Sequence, residues 1–178
     1  MFSIGESYER FMGRWSRPLA QLLVRFADVR NSDAVLDVGS GTGALTAAVS
    51  ASAPFSHVVG VDTSATFIAF ARDRHSGDSV RFEVADAQQL PFSDETFDRT
   101  LSMLILNFVP NRDKAAKEMI RVTRRGGTVA AAIWDYGEGM EMLRVFWDEA
   151  IALSPDDGNH PDLRLLLAQV LGERKDEG

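Results

Sequence analysis

The chain has 178 residues, 45% of them apolar and 25% charged, the make-up of one globular domain with room for a sizeable core. It contains no cysteine, which excludes a disulfide framework, thiolate chemistry and a cysteine-built zinc site. Its net charge of −7 disfavours sequence-independent binding to nucleic acid, which depends on a basic surface.

Met1 to Arg10 carries Glu6 and Glu9 and no apolar run, so it does not read as a signal peptide. No stretch approaches the length of a membrane-spanning helix, and cytoplasmic residence is the expectation. Gly5 to Gly13 reads as a short amphipathic helix bearing Tyr8, Phe11 and Met12. Ser16-Arg17-Pro18 reads as the start of a second helix, a cap followed by a proline tolerated in the first turn. Leu19, Leu22, Leu23 and Phe26 recur at helical spacing there and are expected to face the core.

Val35-Leu36-Asp37-Val38 reads as a buried strand, Gly39-Ser40-Gly41-Thr42-Gly43 as a glycine-rich turn, and the residues through Leu45 and Val49 as a helix. That order builds a pocket for an adenosine-bearing cofactor at the carboxyl end of the first strand of a parallel sheet. Asp37 discriminates between cofactors. A carboxylate there would repel the pyrophosphate of a nicotinamide dinucleotide, and it suits the ammonium and sulfonium of S-adenosylmethionine. The spacing Gly39-x-Gly41-x-x-Ala44 by itself also fits a relaxed dinucleotide fingerprint, or a tight turn that holds no ligand.

Val58 to Val61 reads as a second strand ending in Asp62, nineteen residues after Gly43. A carboxylate at that place can accept both ribose hydroxyls. Ser64 then caps a helix running to about Arg74. Alternation over Val80 to Val84 marks a third strand, followed by Asp86-Ala87-Gln88. A fourth strand runs up to Leu106. Asp113 reads as the cap of the next helix, Gly126 as its left-handed end, and Thr128 to Trp134 as a fifth strand. Such alternation predicts an α/β fold, a doubly wound, mostly parallel, Rossmann-like sheet in three α/β/α layers. Right-handed crossovers place the carboxyl ends of the strands on one rim, with Asp37, Asp62, Asp86 and Leu104 to Asn107.

Asp37-Val38-Gly39-Ser40-Gly41-Thr42-Gly43 resembles the first motif of the class I S-adenosylmethionine-dependent methyltransferases. Leu90-Pro91-Phe92 with Phe97-Asp98 resembles that family's approach to strand four. Glu118 with Arg121-Val122-Thr123-Arg124-Arg125-Gly126-Gly127 resembles the helix end that follows, Arg125 standing where the family has proline. The resemblance spans residues 34–136 and is nearest to the small-molecule enzymes typified by quinone biosynthesis. It implies S-adenosyl-L-methionine as cofactor, held by Asp37, Gly39, Ser40, Gly41, Thr42, Gly43, Asp62, Thr63, Asp86, Ala87, Gln88 and Met103. In it Asp86 accepts from the adenine amine, and the Ala87 N–H meets a ring nitrogen. It further implies methyl transfer to a small-molecule acceptor by direct displacement, beneath an N-terminal segment folded over the cofactor.

Tyr8, Arg14, Asn107, Asp135 and Tyr136 are the candidate acceptor contacts. No catalytic residue is assigned and no metal is expected. A general base is required only if the acceptor must lose a proton, and His57, His75 and His160 read as surface residues. The chain lacks the Asn-Pro-Pro-Tyr that marks amide- and amine-directed enzymes of this fold, which leans away from DNA adenine and protein glutamine. Two other readings stand beside this one: a nicotinamide-dependent oxidoreductase, opposed by Asp37, and a cofactor-binding module without catalysis.

The expected organisation is N-terminal helices over 1–30, a cofactor-binding core over 31–136 and a C-terminal helical segment over 137–178. Gly137 to Leu153 and Pro161 to Leu171 read as helices. The family's closing hairpin, strands six and seven, has no counterpart in sequence after Trp134. Strand five is therefore expected at a sheet edge, to be covered by the last helix or paired with a second copy in a homodimer.

Overall fold

A computed structural model describes residues 4–75 and 77–135. Contacts divide the chain into two units, 1–133 and 134–178, and every described helix and strand lies in the first. In chain order these are α1 (Ile4–Phe26), β1 (Ala34–Val38), α2 (Ala44–Ser52), β2 (His57–Asp62), α3 (Ala65–Arg74), β3 (Val80–Val84), β4 (Phe97–Met103), α4 (Arg112–Val122) and β5 (Thr123–Ala132). A single 3-10 turn, Leu106–Phe108, links β4 to α4. The strands form one parallel sheet in the order β3-β2-β1-β4-β5.

The sheet is covered on both faces, so its strands are apolar on both. Val35, Val58 and Leu101 point to one side, where Ala20, Leu23 and Val24 of α1 and Leu45 and Val49 of α2 meet them. Leu36 and Val38 point to the other, against Ala115, Met119 and Val122 of α4. Ile68 and Ala71 of α3 close on Phe82 of β3. Three layers follow, as the alternation predicts.

The N-terminal segment corrects the two-helix expectation. It is one helix, with Pro18 inside it. Pro18 withdraws the N–H that would bond the Arg14 carbonyl. It lies on the exposed side, where that carbonyl meets water. The opposite side, Gly13, Ser16, Ala20, Leu23 and Ala27, is buried and holds the helix together by packing. Leu22 and Phe26 are 55% and 79% exposed, so of the four residues expected inward only Leu23 is fully buried. The spacing of those four spreads over more than one helix face.

Two boundaries around α4 also differ. Asn111, not Asp113, is the cap: its side-chain oxygen accepts the Lys114 N–H at 2.9 Å. The helix stops at Val122, where the Thr123 hydroxyl donates to Met119 O and bonds Thr100 Oγ1, each at 2.7 Å. Gly126, expected at the helix end, lies instead within β5. The register there jumps from Phe97–Thr123 to Arg99–Thr128, and Gly126 takes φ +78° in the bulge.

Arg121 explains why the Leu90–Asp98 stretch and the end of α4 go together. It donates to Leu90 O (3.0 Å), Phe92 O (2.8 Å), Asp94 (2.8 Å) and both oxygens of Glu118 (2.7 and 2.8 Å). Glu118 in turn accepts the Leu90 N–H at 2.8 Å. The loop from β3 to β4 is thus stapled to α4 by charge-assisted bonds. Among the described residues β5 is one edge strand of the sheet and β3 the other. The helices expected at Gly137–Leu153 and Pro161–Leu171, and Tyr136, lie outside the described residues.

Candidate functional site

Strands are added outward from β1 to β2 and β3 on one side, then to β4 and β5 on the other, all parallel, so the order reverses between β1 and β4. Ligands of open parallel sheets bind outside the carboxyl ends of the strands at such a reversal. A cleft of about 420 Å³ lies at this rim. One wall carries Asp62, Thr63, Asp86 and Gln88, the other Ile105, Phe108, Val109 and Pro110, with Gly39 between them. Among the described residues, no lysine, arginine or histidine lines it.

The glycine turn is fastened to β2. The N–H groups of Gly39 and Ser40 both donate to Val61 O, at 2.7 and 2.9 Å. Gly39 has φ +78°, and a β-carbon there would stand 2.2 Å from the Ile105 side chain, so the close approach itself requires glycine. Gly41 has φ +52° and open space where a β-carbon would point. The Gly41 N–H donates to one oxygen of Asp62 at 3.0 Å, and the other oxygen accepts Ser64 N–H at 2.8 Å. Asp62 therefore holds two backbone segments at once and still offers further lone pairs to the cleft. Ser64 caps α3 as expected, accepting from Phe67 N–H at 3.3 Å.

Asp37 is not on the rim. It sits under the turn, fully buried, on the sheet face that α2 covers. Its strand neighbours alternate, and the side that takes Val35 takes Asp37 too. One carboxylate oxygen accepts the Thr46 N–H at 3.0 Å and the Thr46 hydroxyl at 2.7 Å, satisfying the first turn of α2. The other oxygen has no partner. Burial pushes the Asp37 carboxyl up to about 7, against the Thr46 bonds that favour ionisation, and the nearby Asp62 charge raises it further. Ser40 Oγ is likewise buried and unpartnered.

Asp86 is exposed at the opposite end of the acidic wall. It accepts the Gln88 N–H at 2.8 Å and the Gln88 amide at 3.1 Å, bonds that hold its carboxyl below the usual range. Gln88 Oε1 takes the Asn111 N–H at 3.2 Å and so ties this corner to the cap of α4. Leu104, between β4 and the apolar wall, has φ +65°, an unfavourable angle for leucine. Its N–H is anchored on Ala132 O at 2.7 Å.

The other expected residues divide. Tyr8 does not line the cleft: its ring packs at a tilt against Phe67, 5.5 Å between centroids, and burial with the charges of Glu9 and Asp62 raises its hydroxyl pKa. Asn107 lies in the 3-10 turn that carries Phe108. Met103 packs into the core under α1 and α2 and does not line the cleft. Its side faces inward because β4 still alternates there. Arg14 is exposed, its guanidinium 5.4 Å from the Trp15 ring, away from the cleft. Asp135 is exposed and belongs to the second unit.

Glu9 has no role in the sequence reading, and His75, expected at the surface, is corrected by the fold of α3's end against the turn. Glu9 bonds Thr42 across 33 positions, and His75 is half-buried behind the turn. His75 lies close enough that a β-carbon on Gly43 would come within 2.7 Å of it. Burial lowers the His75 pKa. Helical spacing could have shown Glu9 on the same side as Gly13 and Ser16.

A glycine turn at a sheet reversal, beside an acidic wall, defines a domain for a nucleoside-bearing cofactor. A family model described as methyltransferase domain matches residues 36–131, and the chain belongs to that family, whose cofactor is S-adenosylmethionine. It is 31% identical over 152 residues to the uncharacterised protein Rv1403c of Mycobacterium tuberculosis, covering 82% of this chain and 54% of that one. It is 32% identical over 114 residues to the ubiquinone/menaquinone biosynthesis C-methyltransferase UbiE of Desulfotalea psychrophila, covering 64% and 45%. The chain thus spans about half the length of the curated relatives it matches. The fold is that of a SAM-dependent methyltransferase from Aquifex aeolicus, with TM-score 0.64, 18% identity and 89% of each chain covered.

Proposed function

We propose that this chain binds S-adenosylmethionine in the rim cleft and transfers its methyl group to a small-molecule acceptor. The observation that carries the reading is the cleft's chemistry: two carboxylates, Asp62 and Asp86, and no cationic side chain among the described lining residues. Such walls suit a cationic ligand with hydroxyl and amine donors, and they repel a pyrophosphate. The buried, unpartnered oxygen of Asp37 and the open space beside Gly41 are compatible with the same group.

Asp62 accepts from the ribose hydroxyls, Asp86 from the adenine amine, and Ala87 N–H donates to a ring nitrogen. Thr63 and Gln88 complete the acidic wall, and Ile105 and Phe108 give the base an apolar surface. The bound cofactor supplies a methyl group already activated on a sulfonium, so the chain's own work is alignment and exclusion of water. Tyr8 of α1 is a candidate acceptor contact. The C-methyltransferase relative of quinone biosynthesis supports a small-molecule acceptor. Cytoplasmic residence and pairing of two copies along β5 belong to the same reading.

Calorimetric titration with S-adenosylhomocysteine and with NAD tests it. Binding of the first without the second is expected. NAD affinity with no response to S-adenosylhomocysteine would overturn it.

A further inference from the structure

The glycine turn is gripped from two sides. On the cleft side, Asp62 holds the Gly41 N–H. On the far side, α1 reaches it through Glu9. One Glu9 oxygen accepts the Thr42 hydroxyl at 2.5 Å, and the other accepts Arg17 Nη2 at 2.8 Å. Thr42 is 3% exposed and stands between Gly41 at φ +52° and Gly43 at φ +90°. Its side chain is the one handle between two residues that have none.

The contacts close into a ring. Glu9 holds Thr42. Asp62 holds Gly41 and Ser64, Ser64 caps Phe67, and Phe67 packs against Tyr8, the neighbour of Glu9. Behind the turn, Glu9, Arg17, Thr42, Arg74 and His75, with Ala44 and Ala47, line a second cavity of about 330 Å³. The His75 and Phe82 rings stand against Gly43, but the lining around Thr42 is mostly polar. Glu9 supplies the charged contact on that side, and a bond to a mostly buried carboxylate is stronger than one to a neutral group.

We propose that Glu9 is a positioning residue for the cofactor. Through the Thr42 hydroxyl it fixes the glycine turn from the side away from the cleft, and it couples the seating of α1 to cofactor affinity. Arg17 orients the Glu9 carboxylate and is itself 67% exposed, so it is the replaceable member of the set. The affinity part rests on the methyltransferase reading; the grip on the turn does not.

The ionisation of Glu9 agrees with this arrangement. Burial opposes the charge, but the Thr42 and Arg17 bonds and the Arg17 and Arg74 charges outweigh it and hold the carboxyl below its usual value. Glu9 is thus a carboxylate throughout the neutral range.

The test uses the full chain with Glu9→Ala, Glu9→Gln, Thr42→Val, Thr42→Ser and the Glu9→Ala/Thr42→Val double variant. The first readout is hydrogen exchange at the amides of residues 41–43 without any ligand. Glu9→Ala and Thr42→Val are expected to speed it about tenfold, and Thr42→Ser to keep it near wild type, since the hydroxyl stays. The second readout is the dissociation constant for S-adenosylhomocysteine. A weakening of about tenfold is expected for each alanine or valine variant, with no further loss in the double variant, because both remove one bond. Glu9→Gln, which still offers an oxygen to Thr42, is expected to fall between. Unchanged exchange in Glu9→Ala overturns the proposal whatever the ligand does. So do faster exchange with unaltered affinity, and additive losses in the double variant. A wild-type protein that ignores S-adenosylhomocysteine refutes the functional reading instead, and the exchange result then decides the grip alone.

Discussion

Replacing Asp37 by Asn removes a buried charge without removing its anchor. The amide oxygen of Asn can still accept the Thr46 N–H and hydroxyl that Asp37 Oδ2 accepts at 3.0 and 2.7 Å. What changes is titration. In the fold the carboxyl is pushed from its ordinary 3.8 up to about 7, chiefly by burial. A raised carboxyl means that the folded chain holds a proton the unfolded chain has lost. The group's contribution to stability is therefore full below pH ~4 and disappears as pH rises through ~7. That shift corresponds to a ceiling of about 4 kcal/mol over its whole range, of which about 2.6 kcal/mol falls between pH 5 and pH 8. Relaxation and water reduce it, so about 1–2 kcal/mol is the expected loss. Urea unfolding of both proteins at pH 5 and pH 8 measures it. The stability of wild type minus that of Asp37→Asn is expected to fall by this amount between the two pH values. Other carboxylates, such as Asp98 and Glu118, are held low by their partners and titrate alike in both proteins, so they cancel. A difference that does not move with pH would show that Asp37 is ionised or solvated in the fold, and the burial argument would fail.

Asp62→Ala is expected to weaken S-adenosylhomocysteine binding by at least tenfold, read by calorimetry, and also to lower the melting temperature, because Gly41 and Ser64 lose their acceptor. Normal affinity would mean that the ribose is held elsewhere. Gly41→Val places a branched residue at φ +52°, where space is open but the angle costs about 1–2 kcal/mol; a folded protein by circular dichroism with abolished cofactor binding is expected, and normal binding would show that Gly41 does not face the ligand. Arg121→Ala removes the staple between Leu90, Phe92 and α4 and is expected to cost about 2–4 kcal/mol in urea unfolding, far more than loss of the exposed Arg125–Glu95 pair. Equal costs for the two arginines would refute the staple.

The parallel sheet was legible because it is written in periods the chain cannot hide. Apolar residues at Val35-Leu36 and Val58 to Val61, and alternation over Val80 to Val84, mark strands separated by helices, and right-handed crossovers then put their carboxyl ends on one rim. Local signals were weaker wherever tertiary packing outweighed them. Ser16-Arg17-Pro18 carries the marks of a helix start, yet α1 runs through it, because the small residues on its inner side are worth more packed than the break is worth made. Gly126 looks like a helix end, yet pairing of Thr123 with Phe97 claims the chain three residues sooner.

The site shows the same division between position and partner. That Asp62 ends β2 could be read from spacing. That its two oxygens are already engaged by Gly41 and Ser64 could not, since those bonds exist only once the turn folds back over β2. Asp37 makes the point more sharply. Its place beside the glycines suggests a rim carboxylate, but alternation along β1 sends it under α2, where a helix start needs an acceptor. The acidic residue of the motif is thus first a structural one, with one oxygen on Thr46 and the other unpartnered. Glu9 was the least legible of all. A glutamate on an amphipathic helix ordinarily faces water, and only the distance from α1 to the turn turns it inward. Residues that act through a second residue leave no spacing of their own in a sequence, so a structure is needed to find them.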